Sequence, residues 1–255
     1  MDYWLNEFHV FVLILLRVST LLIVAPLFGH RNYLARSKIG LAFVISLVVF
    51  PMVDAESLQI PDGFLPYAIM IVREILMGLI LGFSVLLFFI AIQFAGQLVG
   101  FQMGFGIVNV VDPQSSEQVS IIGQFMSILA ILIVLTVDGH LLIIRGLISS
   151  FEVVPLGGVQ FPEIIIHKLI AMSSDLFIVA LKIAAPVMIS LLMISVAMGV
   201  LARTVPQMNV FLIGFPVQIT VGMLVLVSSL PLFLILMNKS LDTLERNMFA
   251  LIGFF

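Results

Sequence analysis

The stretch from residue 64 to residue 103 is apolar for about 40 residues, roughly 60 Å if it forms one straight helix. A bilayer core takes about 20 helical residues, so this run is too long for one simple crossing. Five further apolar stretches, at 8–29, 39–53, 119–149, 176–202 and 208–238, fill most of the remaining chain. The stretches 8–29, 176–202 and 208–238 each match one span, and 39–53 is short. The stretch 119–149 is interrupted by Asp138-Gly139-His140 and Arg145, so it is either a long helix reaching beyond lipid or a broken one. With 62% hydrophobic and 10% charged residues, against about 25% charged in soluble domains, the chain reads as an all-α, multi-pass integral membrane protein.

The net charge of -3 and the scattering of the 11 Lys and Arg argue against nucleic acid as a partner. Cysteine is absent, which excludes disulfides, thiolate metal sites and cysteine nucleophiles. The first residues, MDYWLNE, carry acid where a signal peptide carries base, and no small-residue cleavage pattern follows. The first apolar run is therefore expected to stay in the mature protein.

Between the third and fourth stretches lies GFGIVNVVDPQSSEQ, residues 104–118. Its polar groups would find no partners in lipid, so it lies outside the bilayer, is buried in protein, or lines an aqueous passage. The loop at 30–38 holds His30, Arg31, Arg36 and Lys38 and no acid; the loop at 54–62 holds Asp54, Glu56 and Asp62 and no base. The positive-inside rule puts 30–38 in the cytoplasm and 54–62 with the N-terminus outside. One crossing by 64–103 would then put 104–118 in the cytoplasm, yet it too lacks Lys and Arg. Hydropathy does not map simply onto spans here, since helices buried in a protein assembly can be as apolar as helices in lipid. The segment 150–170, with Pro155, Gly157, Gly158 and Pro162, reads as a connector before a final helical hairpin at 176–238.

Gly78 and Gly82 form a GxxxG pair, Gly96, Gly100 and Gly104 a ladder at the same step, and Ala91 and Ala95 repeat it. Such stripes let another backbone approach closely, whether from this chain or another. Gln93 and Gln97 either face water in a channel or bond a neighbouring helix. Arg17, Arg73, Glu74, Asp175, Lys182 and Arg203 fall within or at the edges of apolar stretches, where charge is costly. Structural ion pairs or snorkelling explain them better than a proton relay. Arg73 and Glu74 point about 100° apart on a helix, so each seeks a partner elsewhere. The histidines, at 9, 30, 140 and 167, have no metal-ligand spacing, and no nucleotide or nucleophile motif occurs. No enzyme, cofactor or metal site is expected. In Arg203-Thr204-Val205-Pro206-Gln207-Met208-Asn209, Pro206 stops one helix and Asn209 can cap the next.

The run ARTVPQMNVFLIGFP at 202–216 resembles the signature of the FliR/SctT family, membrane subunits of type III export apparatuses. QMGFGIVNVVDPQS at 102–115, DGHLLII at 138–144, VPLGG at 154–158 and ITVG at 219–222 agree in order and spacing, so the resemblance covers nearly the whole chain. The GFP run at 214–216 is more like the flagellar branch than the injectisome branch. The resemblance implies long, tilted helical hairpins assembling with FliP-like and FliQ-like subunits into a helical export gate, joined by FlhB-like and FlhA-like components. It implies a FliP-like portion at about 1–170 and a FliQ-like hairpin at about 171–255, together one membrane domain. It implies that Gly104, Phe105, Gly106, Ile107, Val108, Asn109, Val110, Val111, Asp112, Pro113, Gln114, Ser115 and Ser116 form a plug closing the pore. Assembly contacts are expected at Gly96, Gly100, Arg203, Pro206, Gln207, Asn209, Phe211, Gly214, Phe215 and Pro216.

The resulting expectation is a non-enzymatic subunit of a protein-export gate in the bacterial inner membrane, at the flagellar basal body, passing unfolded flagellar proteins. A pore that wide would leak ions unless blocked. Phe105, Ile107, Val108, Val110 and Val111 could exclude water by dewetting. A small-solute transporter would need inverted repeats and convergent midplane polar groups, and no repeat is seen. A membrane scaffold is the remaining rival, distinguished by its inability to leak.

Overall fold

The computed structural model describes residues 2–29, 34–53, 63–105, 120–205, 207 and 209–255. Every regular element among them is helical: α1 (Asp2–Val24), α2 (Pro26–Gly29), α3 (Ala35–Val49, extended by a 3-10 turn Phe50–Met52), α4 (Phe64–Gln102), α5 (Ile121–Thr136), α6 (Gly139–Val153), α7 (Glu163–Thr204), α8 (Val210–Ser228) and α9 (Leu230–Ile252). Four helical segments, within α1, α3, α4 and α7, are long and apolar enough to cross a membrane; counting the pairs α5–α6 and α8–α9 as one broken span each makes six. The 64–103 run is thus one helix of 39 residues. The 119–149 stretch is a broken one, interrupted at Val137-Asp138, with Asp138 left-handed at φ 57° ahead of α6.

Two boundaries differ from the sequence reading. The connector expected at 150–170 is shorter, since α6 runs to Val153 and α7 already begins at Glu163. The apolar stretch 208–238 is not one helix: α8 and α9 meet at a 56° bend. Pro231, in the first turn of α9, has no N–H to donate, which removes a rung of the ladder there. Hydropathy cannot register that loss because Ser228-Ser229-Leu230-Pro231 sits between two apolar runs.

The chain divides into two compact units. The first holds residues 1–88, 137–173 and 241–255. Here α1 buries Val10, Leu13, Ile14, Arg17, Val18 and Leu21, a spacing of three and four that draws one helical stripe. The first part of α4 lies directly on that stripe. A Cβ at Gly78 would collide with Thr20 Oγ1 and the Arg17 carbonyl, and one at Gly82 would stand 2.9 Å from Val24 Cβ. This GxxxG pair therefore serves contact between α1 and α4. The α3 helix packs on α1 through the edge-on rings of Phe11 and Phe43, 5.4 Å apart, while its Ile39, Val44, Leu47 and Val48 are exposed. The end of α9 joins α6, where a Cβ at Gly146 would lie 2.6 Å from Met248 Cε.

The second unit holds residues 89–136 and 174–240. Its core combines Ile92, Ala95, Val99 and Met103 of α4 with Ile122, Met126, Ala130 and Val134 of α5, Ala180, Ala184, Val187 and Leu191 of α7, and Phe233 and Met237 of α9. The α7–α8 hairpin is tied by Gln218 Nε2, which donates to Ser195 Oγ at 3.2 Å. Pro186 and Pro216 interrupt the ladders of α7 and α8, and Ser190 and Thr220 donate back to their carbonyls at 2.9 and 2.8 Å. Much of the outward surface of α7 and α8 is apolar, including Phe177, Ile189, Met193, Val196, Leu212 and Leu224. Water would not stabilise so large an apolar area, and a lipid or protein environment is its physical counterpart.

Candidate functional site

In the first unit the buried charges converge. Arg17 Nε donates to Glu74 Oε2 at 2.6 Å, and both side chains are 0% exposed. Arg17 Nη1 donates to the Ser150 carbonyl at 2.8 Å, to Ser150 Oγ at 3.3 Å and to the Val154 carbonyl at 3.2 Å. These acceptors sit at the C-terminal end of α6, where a cation is favoured; the Ser150 carbonyl also accepts the Val154 N–H at 3.2 Å, and the Val154 carbonyl lies beyond the last helical turn. The guanidinium carbon stands 4.4 Å from the centroid of the Phe151 ring, within cation–π range. Glu74 Oε1 accepts the Gly157 N–H at 2.9 Å. Gly157 reaches it at φ +77°, with Met70 Cε 3.2 Å from where a Cβ would stand.

The pair thus joins α1, α4, α6 and the turn at 154–158. The sequence motif VPLGG is the segment that supplies the Val154 carbonyl and the Gly157 N–H. Sequence reasoning identified Arg17 and Glu74 as costly charges and expected Glu74 to find a partner other than Arg73. It missed that Arg17 is that partner, and it missed Ser150, Phe151, Val154 and Gly157. The usable signal was two opposite charges on long apolar helices together with a double-glycine turn.

In the second unit the glycine ladder is an intrachain contact. A Cβ at Gly96 would lie 2.5 Å from Gly123 Cα and 3.0 Å from the Ile122 carbonyl oxygen. One at Gly100 would run into Ser120 Oγ. Small residues on both helices let α4 and α5 meet backbone to backbone; Gly123 and Ser120 were the partners that the sequence did not reveal. Gln93 and Gln97 are half-buried on the same helix, and among the described residues neither side chain bonds a neighbouring helix.

Gly104 ends α4. Its N–H bonds the Phe101 carbonyl at 3.0 Å and the Phe105 N–H bonds the Gly100 carbonyl at 3.1 Å. With φ +91° at Gly104, this is a Schellman cap. The cap is seated on α8: a Cβ at Gly104 would be 2.8 Å from Phe215 Cδ1, and one at Gly222 would be 2.6 Å from Met103 Cε. The structure thereby brings Gly104 and Phe215 together. Phe105 is half-buried beyond the cap. Gly106, Ile107, Val108, Asn109, Val110, Val111, Asp112, Pro113, Gln114, Ser115 and Ser116 lie outside the described residues, as do Pro206, the side chain of Phe211, His30, Arg31 and the loop at 54–62.

The remaining expected residues are dispersed. Arg73, Asp175 and Lys182 are exposed, as are Arg203 in the last turn of α7, Gln207 and Pro216. Gly214 is buried, with Met198 Cε 3.6 Å from where a Cβ would sit. Asn209 caps α8, its side chain accepting the Leu212 N–H at 3.3 Å.

Residues 8–244 match the family described as "Bacterial export proteins, family 1". Flagellar biosynthetic protein FliR of Bacillus subtilis is 37% identical, over 98% of each chain. The proteins of that name from Escherichia coli and Pectobacterium carotovorum are 33% and 38% identical, over 91% and 90% of this chain and 88% and 86% of theirs.

Proposed function

The chain belongs to the bacterial export proteins, family 1, and from that premise we propose that it is a multi-pass subunit of the flagellar type III protein-export gate in the bacterial inner membrane. In this reading it assembles with FliP-like and FliQ-like subunits, residues 1–170 taking the FliP-like role and 171–255 that of a FliQ-like hairpin. FlhB-like and FlhA-like components and unfolded flagellar proteins are its other partners. It performs no bond chemistry. The polar segment after Gly104 plugs the pore.

One observation carries the plug assignment. The long helix α4 ends in a glycine cap pinned to α8 by Phe215. The helix thus ends at a fixed anchor, and the sequence after it, 106–116, carries both polar groups and water-excluding Ile107, Val108, Val110 and Val111. The exposed apolar surfaces of α3, α7 and α8 support burial against lipid and companion subunits. The flagellar names of the relatives favour the flagellar over the virulence-type apparatus. Co-expression with FliP-like and FliQ-like subunits tests the assembly. A stable detergent-extracted complex containing all three is expected, and a chain that purifies alone under the same conditions would refute the reading.

A further inference from the structure

Beyond the gate assignment, we propose that the Arg17–Glu74 pair is a positional lock that sets the path of the 154–158 turn, and with it where α7 begins. A buried ion pair is a poor way to gain stability, since well-packed apolar residues of similar volume serve as well or better. What it supplies is direction. Among the described residues, every hydrogen bond made by the pair beyond its own contact ends on α6 or the turn. Arg17 holds the carbonyls of Ser150 and Val154 and the hydroxyl of Ser150, and Glu74 holds the Gly157 N–H.

The targets are mostly backbone groups, so they fix the course of the main chain rather than the choice of side chain. Both charges stand on long helices, α1 and α4, whose mutual position is set independently by Gly78 and Gly82. The turn itself has few alternatives for satisfying its polar groups: Pro155 lacks an N–H, and Gly157 lies at φ +77° with its N–H aimed at the carboxylate. Apolar substitutes could fill the same volume but would leave the Val154 carbonyl and the Gly157 N–H without direction. Arg17 and Glu74 act as positioning residues for the connector.

The absence of cysteine permits a clean test in the full chain, held in its membrane. Single thiols replace Leu156, in the turn, or Leu147, buried in α6, and their maleimide labelling rates are compared in three backgrounds: the parent, Arg17→Met with Glu74→Leu, and Glu74→Gln. A lock predicts labelling at residue 156 that rises roughly tenfold or more, as for local opening, and rises more than at residue 147, in both variant backgrounds. Glu74→Gln keeps the volume of the side chain and one acceptor oxygen while leaving the Arg17 charge without its counterion, and it gives a second reading if the double variant folds poorly. An equal rise at both positions would make the pair a general support of the fold and overturn the proposal. Unchanged labelling at residue 156 would overturn it as well.

Discussion

The ring of Phe215 occupies the space that a side chain at Gly104 would need, its Cδ1 lying 2.8 Å from where a Cβ would stand. The contact fixes the last turn of α4 on α8. Gly104→Ala would meet both the ring and a left-handed backbone, the latter costing about 1–2 kcal/mol for an L-residue. A fall in thermal stability of the detergent-solubilised protein is expected. Adding Phe215→Leu should recover the steric part and leave the backbone part, which a double-mutant cycle measures. A neutral Gly104→Ala would contradict the cap geometry.

Gly100→Leu would force a side chain into the α4–α5 seam at Ser120. Overpacking of this kind costs about 1–3 kcal/mol. Because the seam lies within the chain, stability should fall in the isolated subunit as well as in the complex. Membrane insertion should be little affected. Normal complex yield on native gels and an unchanged melting temperature would count against it.

Arg17→Met alone leaves the Glu74 carboxylate buried without its cation, a loss of about 3–5 kcal/mol. The matching change Glu74→Leu should restore much of that loss. Unfolding of the two single variants and the double in detergent checks the sign. A double variant worse than either single one would show that the pair is needed for stability.

Asn209→Ala removes the side chain that accepts the Leu212 N–H. Loss of an N-cap costs about 1 kcal/mol, and Asn209→Asp should be nearly neutral. Thermal melts of the three proteins separate capping from any role of the amide itself. Equal destabilisation by both substitutions would point to the amide.

The helices were legible in the sequence because long apolar runs with sparse charge have few other solutions. The break at Asp138 and the cap at Asn209 were legible because each depends on residues next to one another. The bend between α8 and α9 escaped, since Pro231 acts through a missing N–H that hydropathy does not weigh. The Arg17–Glu74 pair escaped for a different reason. Its members are separated by 57 residues, and no periodicity links a charge on one helix to its counterion on another. The Gly96–Gly123 contact was half legible: the α4 stripe declared a close approach, but a single glycine on α5 left no pattern of its own.

If the segment beginning at Gly104 closes an export pore, as proposed, removing part of it should open one. The direct measurement is ion conductance of the assembled complex in planar bilayers, with Gly106–Val111 deleted and assembly verified on the same preparation. The expected result is an intact complex that conducts steadily where the parent is closed, and cells expressing it that admit small dyes and lose their proton gradient. An assembled deletion complex as tight as the parent would rule out the plug and leave the segment a connector.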